Sequence, residues 1–175
     1  MPEGPEVRVV TDQLSTLIDE YPVLVSFEVI GGRYYNRHPF PNLTTFTDCL
    51  EKNPLLIKKI GCIGKLIYWI FSSPDNSCPD WYLLNTLGMS GGWGFEKQKH
   101  SHVEIKISMI DKPVFQTLWF TDIRRFATLT LTHNPVERFQ KIGPDWLASI
   151  PPSLTQFRQK FLQDRKKDKT LPVLL

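Results

Sequence analysis

The opening Met1-Pro2-Glu3-Gly4-Pro5-Glu6 is the stretch of this chain whose residue types can do covalent chemistry. A small residue at position two invites removal of the initiator methionine, which would leave Pro2 as an N-terminal secondary amine. An α-amino group titrates near about 7.7–8.0, against roughly 10.4 for lysine, so a useful fraction is unprotonated and nucleophilic at neutral pH. Such an amine attacks an aldehyde-like carbon, a sugar carbon among them, and forms an iminium. Taken alone, the same hexapeptide is an ordinary helix start, because proline suits the first turn and acids suit the positive end of the helix dipole.

An amine used in this way has to be anchored. Over residues 5–20, Val7, Val10, Leu14, Leu17 and Ile18 recur at helical spacing, with Asp12, Gln13, Asp19 and Glu20 between them. This predicts an amphipathic helix whose buried face fixes the N-terminus. Pro22 stops it, residues 23–30 alternate like a strand, and Gly31-Gly32 punctuate before a mixed segment over 33–37. A short helix follows, capped by Asn42 and turning Leu43, Phe46 and Leu50 inward. After Pro54 come short β-rich runs at 55–63, 66–71, 81–87, 103–110, 114–120 and 126–131. Pro74-Asp75-Asn76 and Asp111-Lys112-Pro113 separate them at hairpin distances, which argues for antiparallel sheets packed as a sandwich. Beyond His133 helices are expected at 135–141 and 153–164, the second with Leu154, Phe157, Phe161 and Leu162 on one face, joined by a turn at Pro151-Pro152. The basic cluster Arg165, Lys166, Lys167 and Lys169 reads as a solvated helix end or a face for a polyanion. The closing apolar run 171–175 reads either as a cut helix or as a tail folded back on the sandwich. The expected fold class is α+β, an N-terminal helix plus a two-layered antiparallel β-sandwich followed by helices.

Composition narrows the setting. With 175 residues and 41% hydrophobic content the chain can bury one core and the beginning of a second unit. Lys+Arg 21 against Asp+Glu 18 leaves a formal +3, compatible with a polyanionic partner without requiring one. Cys49, Cys62 and Cys78 are widely spaced and form no C-x-x-C pair, so neither a disulfide framework nor a structural zinc site is indicated. No apolar run approaches the roughly 18 residues that span a bilayer, and Glu3 and Glu6 stand where a basic leader would be. A soluble, non-secreted protein of the cytoplasm or nucleus is expected, with no membrane partner and no cofactor.

Further motifs follow the hexapeptide in order: Gly64-Lys65 opening a strand, Leu87-Gly88-Met89-Ser90-Gly91, His100-Ser101-His102-Val103-Glu104, and Asp122-Ile123-Arg124-Arg125-Phe126. Together with the N-terminus they resemble the formamidopyrimidine-DNA glycosylase and endonuclease VIII family over most of the chain. Gly4, where the other branch has leucine, brings it nearer the endonuclease VIII-like branch. The resemblance implies a bifunctional DNA glycosylase and abasic-site lyase of base excision repair, acting as a monomer on damaged DNA, duplex or single-stranded. It implies a catalytic domain at residues 1–132 and, at 133–175, the first helices of a helix-two-turn-helix domain. That domain's asparagine motif and the zinc or zincless finger beyond it are not in this sequence, which reads as truncated.

The resemblance also assigns roles. Pro2 attacks C1′ of the damaged nucleotide and expels the base; Glu3 protonates the sugar ring oxygen or shuttles protons during elimination; Lys65 contacts a phosphate and assists proton transfer. Glu6 either hydrogen-bonds near the amine or is an ordinary first-turn acid. Successive β- and δ-elimination then cuts the strand on both sides. Because the nucleotide must leave the stack, Met89, Arg124 and Phe126 are expected to fill the gap. The alternatives are a core methionine, a solvated arginine and a core phenylalanine. Arg125, beside Arg124, points to phosphate or base contact. His100 and His102, on one strand face with Glu104, suggest phosphate contact or hairpin packing rather than a metal site. The Gly-rich segment 88–94 is a hairpin turn. Thr86 stands where some members carry histidine, so one phosphate contact is expected to differ. Two rivals remain: a damage-sensing DNA-binding module that keeps the fold without the activity, and a proline-nucleophile enzyme for small carbonyl compounds, which gives Met89, Arg124 and Arg125 no role.

Overall fold

Helix α1 (Gly4–Ser15) starts where its own acids satisfy its free amides: Glu3 is extended, and its N–H donates to the Glu6 carboxylate at 2.7 Å. Pro5 in the first turn has no N–H to satisfy. Val7, Thr11 and Leu14 are buried, and the Thr11 hydroxyl donates to the Val7 carbonyl, so its burial leaves no unpaired group. The helix is shorter than its periodicity suggests. It ends at Ser15, whose hydroxyl reaches the Ile60 carbonyl at 3.1 Å, and tightens into a 3-10 turn at Thr16–Ile18. This computed structural model describes residues 2–18, 22–36, 38, 40–109, 112–142, 153–156 and 158–159.

Among the described residues eight strands follow: β1 (Val23–Val29), β2 (Leu55–Ile63), β3 (Leu66–Ser72), β4 (Trp81–Thr86), β5 (Gly91–Gly94), β6 (Ser101–Met109), β7 (Lys112–Asp122) and β8 (Thr128–Thr132). They pair antiparallel in the order β5-β7-β6-β1-β2-β3-β4-β8. The sandwich is therefore one continuous sheet folded over on itself. The fold line lies between β1 and β2, which share only the pairs Val23↔Leu56 and Leu24↔Leu55. Across the closed face Trp93 of β5 donates its indole N–H to Asn85 of β4 at 3.0 Å, and its ring lies 5.0 Å from that of Trp69 on β3. Asn85 is buried, so this bond joins the two layers through polar groups that need each other.

Two short helices, α2 (Arg33–Asn36) and α3 (Leu43–Lys52), cover the outer edge of β8. The Leu129 amide donates to the Tyr34 hydroxyl at 2.9 Å, and the Asn42 side-chain amide donates to the Leu131 carbonyl at 3.0 Å. The Arg33 guanidinium donates to the Ala127 carbonyl at 2.8 Å. An edge that would otherwise offer free backbone groups is thereby occupied. Asn42 corrects one expectation. It is left-handed (φ 64°) and spends its side chain on β8 rather than on capping α3. Helix α2 falls in the segment whose sequence pattern is mixed.

Phe46, on α3, is fully buried, with Phe27 and Trp81 packed edge-on at centroid distances of 5.4 and 5.3 Å. Truncation to alanine removes these ring contacts, and a third with Phe71 at a centroid distance of 5.6 Å, and leaves a cavity. We expect Phe46→Ala to cost about 3–5 kcal/mol, measured by urea denaturation. Helix α4 (Val136–Ile142) follows β8 as expected. Of the second expected helix, residues 154–156, 158 and 159 are helical. The remainder, including Phe157, Phe161 and Leu162, lies outside the described residues, as do the basic cluster 165–169 and the run 171–175. Among the described residues no helix is long and apolar enough to cross a membrane.

Candidate active site

The β2–β3 hairpin turns through two residues, Gly64 and Lys65, between the paired Ile63 and Leu66. Gly64 holds φ +56°, a left-handed conformation that glycine adopts without steric cost. The turn presents Lys65 to the start of α1, where its ammonium lies 2.6 Å from the Glu3 carboxylate. Both side chains are well exposed, 42% for Lys65 and 62% for Glu3, so the pair stabilises the fold by at most about 1 kcal/mol. What it does is fix geometry: the Glu3 backbone is held by Glu6, and its carboxylate by Lys65. Pro2 and Lys65 line one hollow of about 180 Å³, with Val7, Thr86, Leu87 and Gly88 as its other walls. Thr86 takes part as a wall and is bonded within the sheet, its hydroxyl 2.6 Å from that of Thr128.

The same wall continues into a second group. Gly88 has φ +62°, and a Cβ there would lie 2.6 Å from the Ala127 nitrogen. The turn after β4 is thus pressed directly against the backbone that leads into β8. Both causes act against a side chain, so Gly88→Ala is expected to destabilise by more than about 1 kcal/mol, read as a lowered unfolding midpoint. Beyond Gly88, Met89 is 45% exposed, and the Arg124 guanidinium reaches its sulfur at 3.5 Å. Phe126 is 61% exposed, as is Ile123, so the reading of Phe126 as a core ring does not hold. Phe126→Ala should accordingly change stability by no more than about 0.5 kcal/mol, in contrast to Phe46→Ala. Arg125 is exposed and left-handed (φ 61°), a conformation that costs a non-glycine residue on the order of 1 kcal/mol.

Beneath these exposed side chains lies a buried acid that residue types alone did not single out. Asp122 is 1% exposed. One carboxylate oxygen accepts the Ser90 hydroxyl at 2.7 Å and the other accepts the Ala127 amide at 2.8 Å. The Ser90 oxygen in turn accepts the Arg124 amide at 3.0 Å. The signal was present in the alternation, since Leu118, Phe120 and Asp122 share the inward face of β7.

The histidines separate. The β6–β7 register shifts between Ser101 and Val103, and this irregularity places His102 in the interior rather than on one face with Glu104. Its Nε2 donates to the Asp122 carbonyl at 2.7 Å, and its ring packs against Gly32, where a Cβ would lie 2.6 Å from Nδ1. Of the two roles considered for His102, packing is the one its burial matches. His100 is half-buried, and its carbonyl accepts the Asp122 amide. Among the described residues no three His, Cys, Asp or Glu side chains are gathered as a metal site.

Pro2, Glu3, Glu6 and Lys65 are therefore together; Met89, Arg124, Arg125 and Phe126 form an exposed neighbouring group; Leu87 and Gly88 join the two. Residues 1–129, which span both groups, match the family profile described as the formamidopyrimidine-DNA glycosylase N-terminal domain. The chain belongs to that glycosylase family. The fold agrees with that of the MutM (Fpg) protein from Thermus thermophilus, at a TM-score of 0.55 and 21% identity over 85% of this chain and 48% of that one. A viral DNA glycosylase aligns at a TM-score of 0.49 and 16% identity, covering 94% of this chain and 50% of that one. The chain thus spans about half the length of the solved glycosylases it matches. No curated protein matches it in sequence.

Proposed function

We propose that this chain carries the catalytic part of a bifunctional DNA glycosylase and abasic-site lyase that removes oxidised bases in base excision repair. The observation that carries the reading is the hollow shared by Pro2 and Lys65, with the Lys65–Glu3 pair at 2.6 Å beside it. In this reading Met1 is removed and the Pro2 nitrogen attacks C1′ of the damaged nucleotide. The bond from C1′ to the base breaks and the base leaves with a proton. The proton that the amine sheds on attack passes through the Glu3 carboxylate to the ring oxygen as the sugar opens, leaving an iminium between Pro2 and C1′, while the departing base takes its proton from water. The iminium acidifies the C2′ hydrogen, so loss of that proton expels the 3′ phosphate; a second elimination expels the 5′ phosphate, and water frees the amine. Lys65 serves as the cation for a flanking phosphate and Glu6 holds the Glu3 backbone.

Met89, Arg124 and Phe126 are read as the groups that enter the duplex when the nucleotide leaves it, with Arg125 and His100 toward the phosphates. The exposure of Met89 and Phe126 supports this, because apolar side chains left uncovered beside two arginines fit an opened base stack better than a solvated surface. Residues 1–132 are read as the catalytic domain and 133–175 as the start of a helix-two-turn-helix domain, in the endonuclease VIII-like branch. The experiment is borohydride trapping on duplexes with an oxidised pyrimidine, a hydantoin or an abasic site. A covalent protein–DNA adduct is expected on each. Binding without any adduct would replace the enzyme with a damage-sensing module.

A further inference from the structure

We propose that Asp122 and Ser90 are positioning residues that clasp the Met89 turn and the Arg124–Phe126 loop into one unit for opening the duplex. The inference rests on the reading of Met89, Arg124 and Phe126 given above. Every side-chain oxygen of the clasp is engaged. Both oxygens of the buried Asp122 carboxylate accept, one from Ser90 and one from the Ala127 amide. The Ser90 hydroxyl donates to Asp122 and accepts from the Arg124 amide, so one side chain on the turn holds the start of the loop, while Asp122 holds its far end through the Ala127 amide. The loop is braced from below as well. His102 donates to the Asp122 carbonyl, and Arg33 to the Ala127 carbonyl. Contact of Gly88 with the Ala127 backbone closes the arrangement.

The exposed side chains between these braces include the three assigned to the opened stack, with Ile123 and Arg125 beside them. A wedge entering a duplex delivers its push only if its backbone does not yield, and a displacement of about 1 Å in a positioning element can cost on the order of 100-fold in rate. Asp122 and Ser90 touch neither Pro2 nor Lys65 in the hollow where the bond chemistry is read. Loss of the clasp should therefore impair extrusion of the nucleotide and spare attack on a sugar that needs no extrusion. Valence also separates Asp122 variants. Asparagine can accept the Ala127 amide through its oxygen and donate to Ser90, whose oxygen still has a second lone pair for Arg124. Alanine offers neither.

The test compares the full-length protein with its Asp122→Ala, Ser90→Ala and Asp122→Asn variants. Three quantities are read: single-turnover excision of an oxidised pyrimidine from a duplex, 2-aminopurine fluorescence beside the lesion as a report of unstacking, and borohydride crosslinking to a single-stranded oligonucleotide with one abasic site. Asp122→Ala and Ser90→Ala are expected to lower duplex excision on the order of 100-fold and to suppress the fluorescence rise, with crosslinking to the single strand unchanged. Asp122→Asn should restore most of the duplex rate. An equal loss on duplex and single strand, or full duplex excision in both alanine variants, overturns the inference. If Asp122→Ala does not fold, Ser90→Ala, at a half-buried residue, carries the comparison alone. Failure of the unaltered protein to crosslink would instead overturn the function proposed above.

Discussion

Protein in which Met1 is retained is expected to give no borohydride adduct and to lose base excision on the order of 10⁶-fold, the scale seen when a covalent nucleophile is removed. The reason is electronic before it is steric. With Met1 attached, the Pro2 nitrogen is a tertiary amide whose lone pair is delocalised into the carbonyl, and it cannot form an iminium. The α-amine that remains belongs to Met1, displaced by about 3.8 Å along the chain. Binding to an abasic-site duplex should persist, because the exposed group at Met89, Arg124 and Phe126 is untouched. Adduct formation by Met1-retaining protein at the normal rate would remove Pro2 from the mechanism.

Glu3→Gln is expected to lower base excision about 10²–10⁴-fold, the range for loss of a positioned proton donor. Stability should move by less than about 1 kcal/mol, because the Lys65–Glu3 pair is largely in solvent. Glutamine keeps the size of the side chain and can still reach Lys65 with its carbonyl oxygen, so the change isolates the proton. Trapping on a pre-formed abasic site, where no base has to depart, should fall much less than excision from an oxidised-base duplex. Equal rates of excision for the variant and the parent protein would assign the proton to another group. Single-turnover kinetics with both substrates, together with a thermal unfolding curve, separates these outcomes.

Much of this arrangement is legible in the sequence, and for identifiable reasons. The hexapeptide at the N-terminus states a chemical possibility by residue type alone. Short-range periodicity then locates α1 and most strands, because alternation and 3.6-residue spacing are local properties. Gly64-Lys65 and the Gly88 turn are legible for the same reason, since tight turns need particular backbone conformations. What stays hidden depends on partners far away in the sequence. The closure of one sheet through Trp93 and Asn85, the use of Asn42 on the edge of β8 and the clasp at Asp122 are all tertiary contacts. Simple alternation puts His102 on the wrong face because a strand irregularity resets the pattern by one residue. Asp122 is the recoverable omission: an acid in phase with Leu118 and Phe120 has to be buried, and a buried carboxylate must be bonded to something.

The most direct measurement is to locate the covalent bond itself. The borohydride-reduced adduct between the protein and an abasic-site oligonucleotide is digested with nuclease and protease, and the modified peptide is sequenced by tandem mass spectrometry. The account predicts a peptide that begins at Pro2, lacks Met1 and carries the reduced sugar remnant on the proline nitrogen. A remnant on the Lys65 side chain, or an adduct on protein that still begins with Met1, would contradict it.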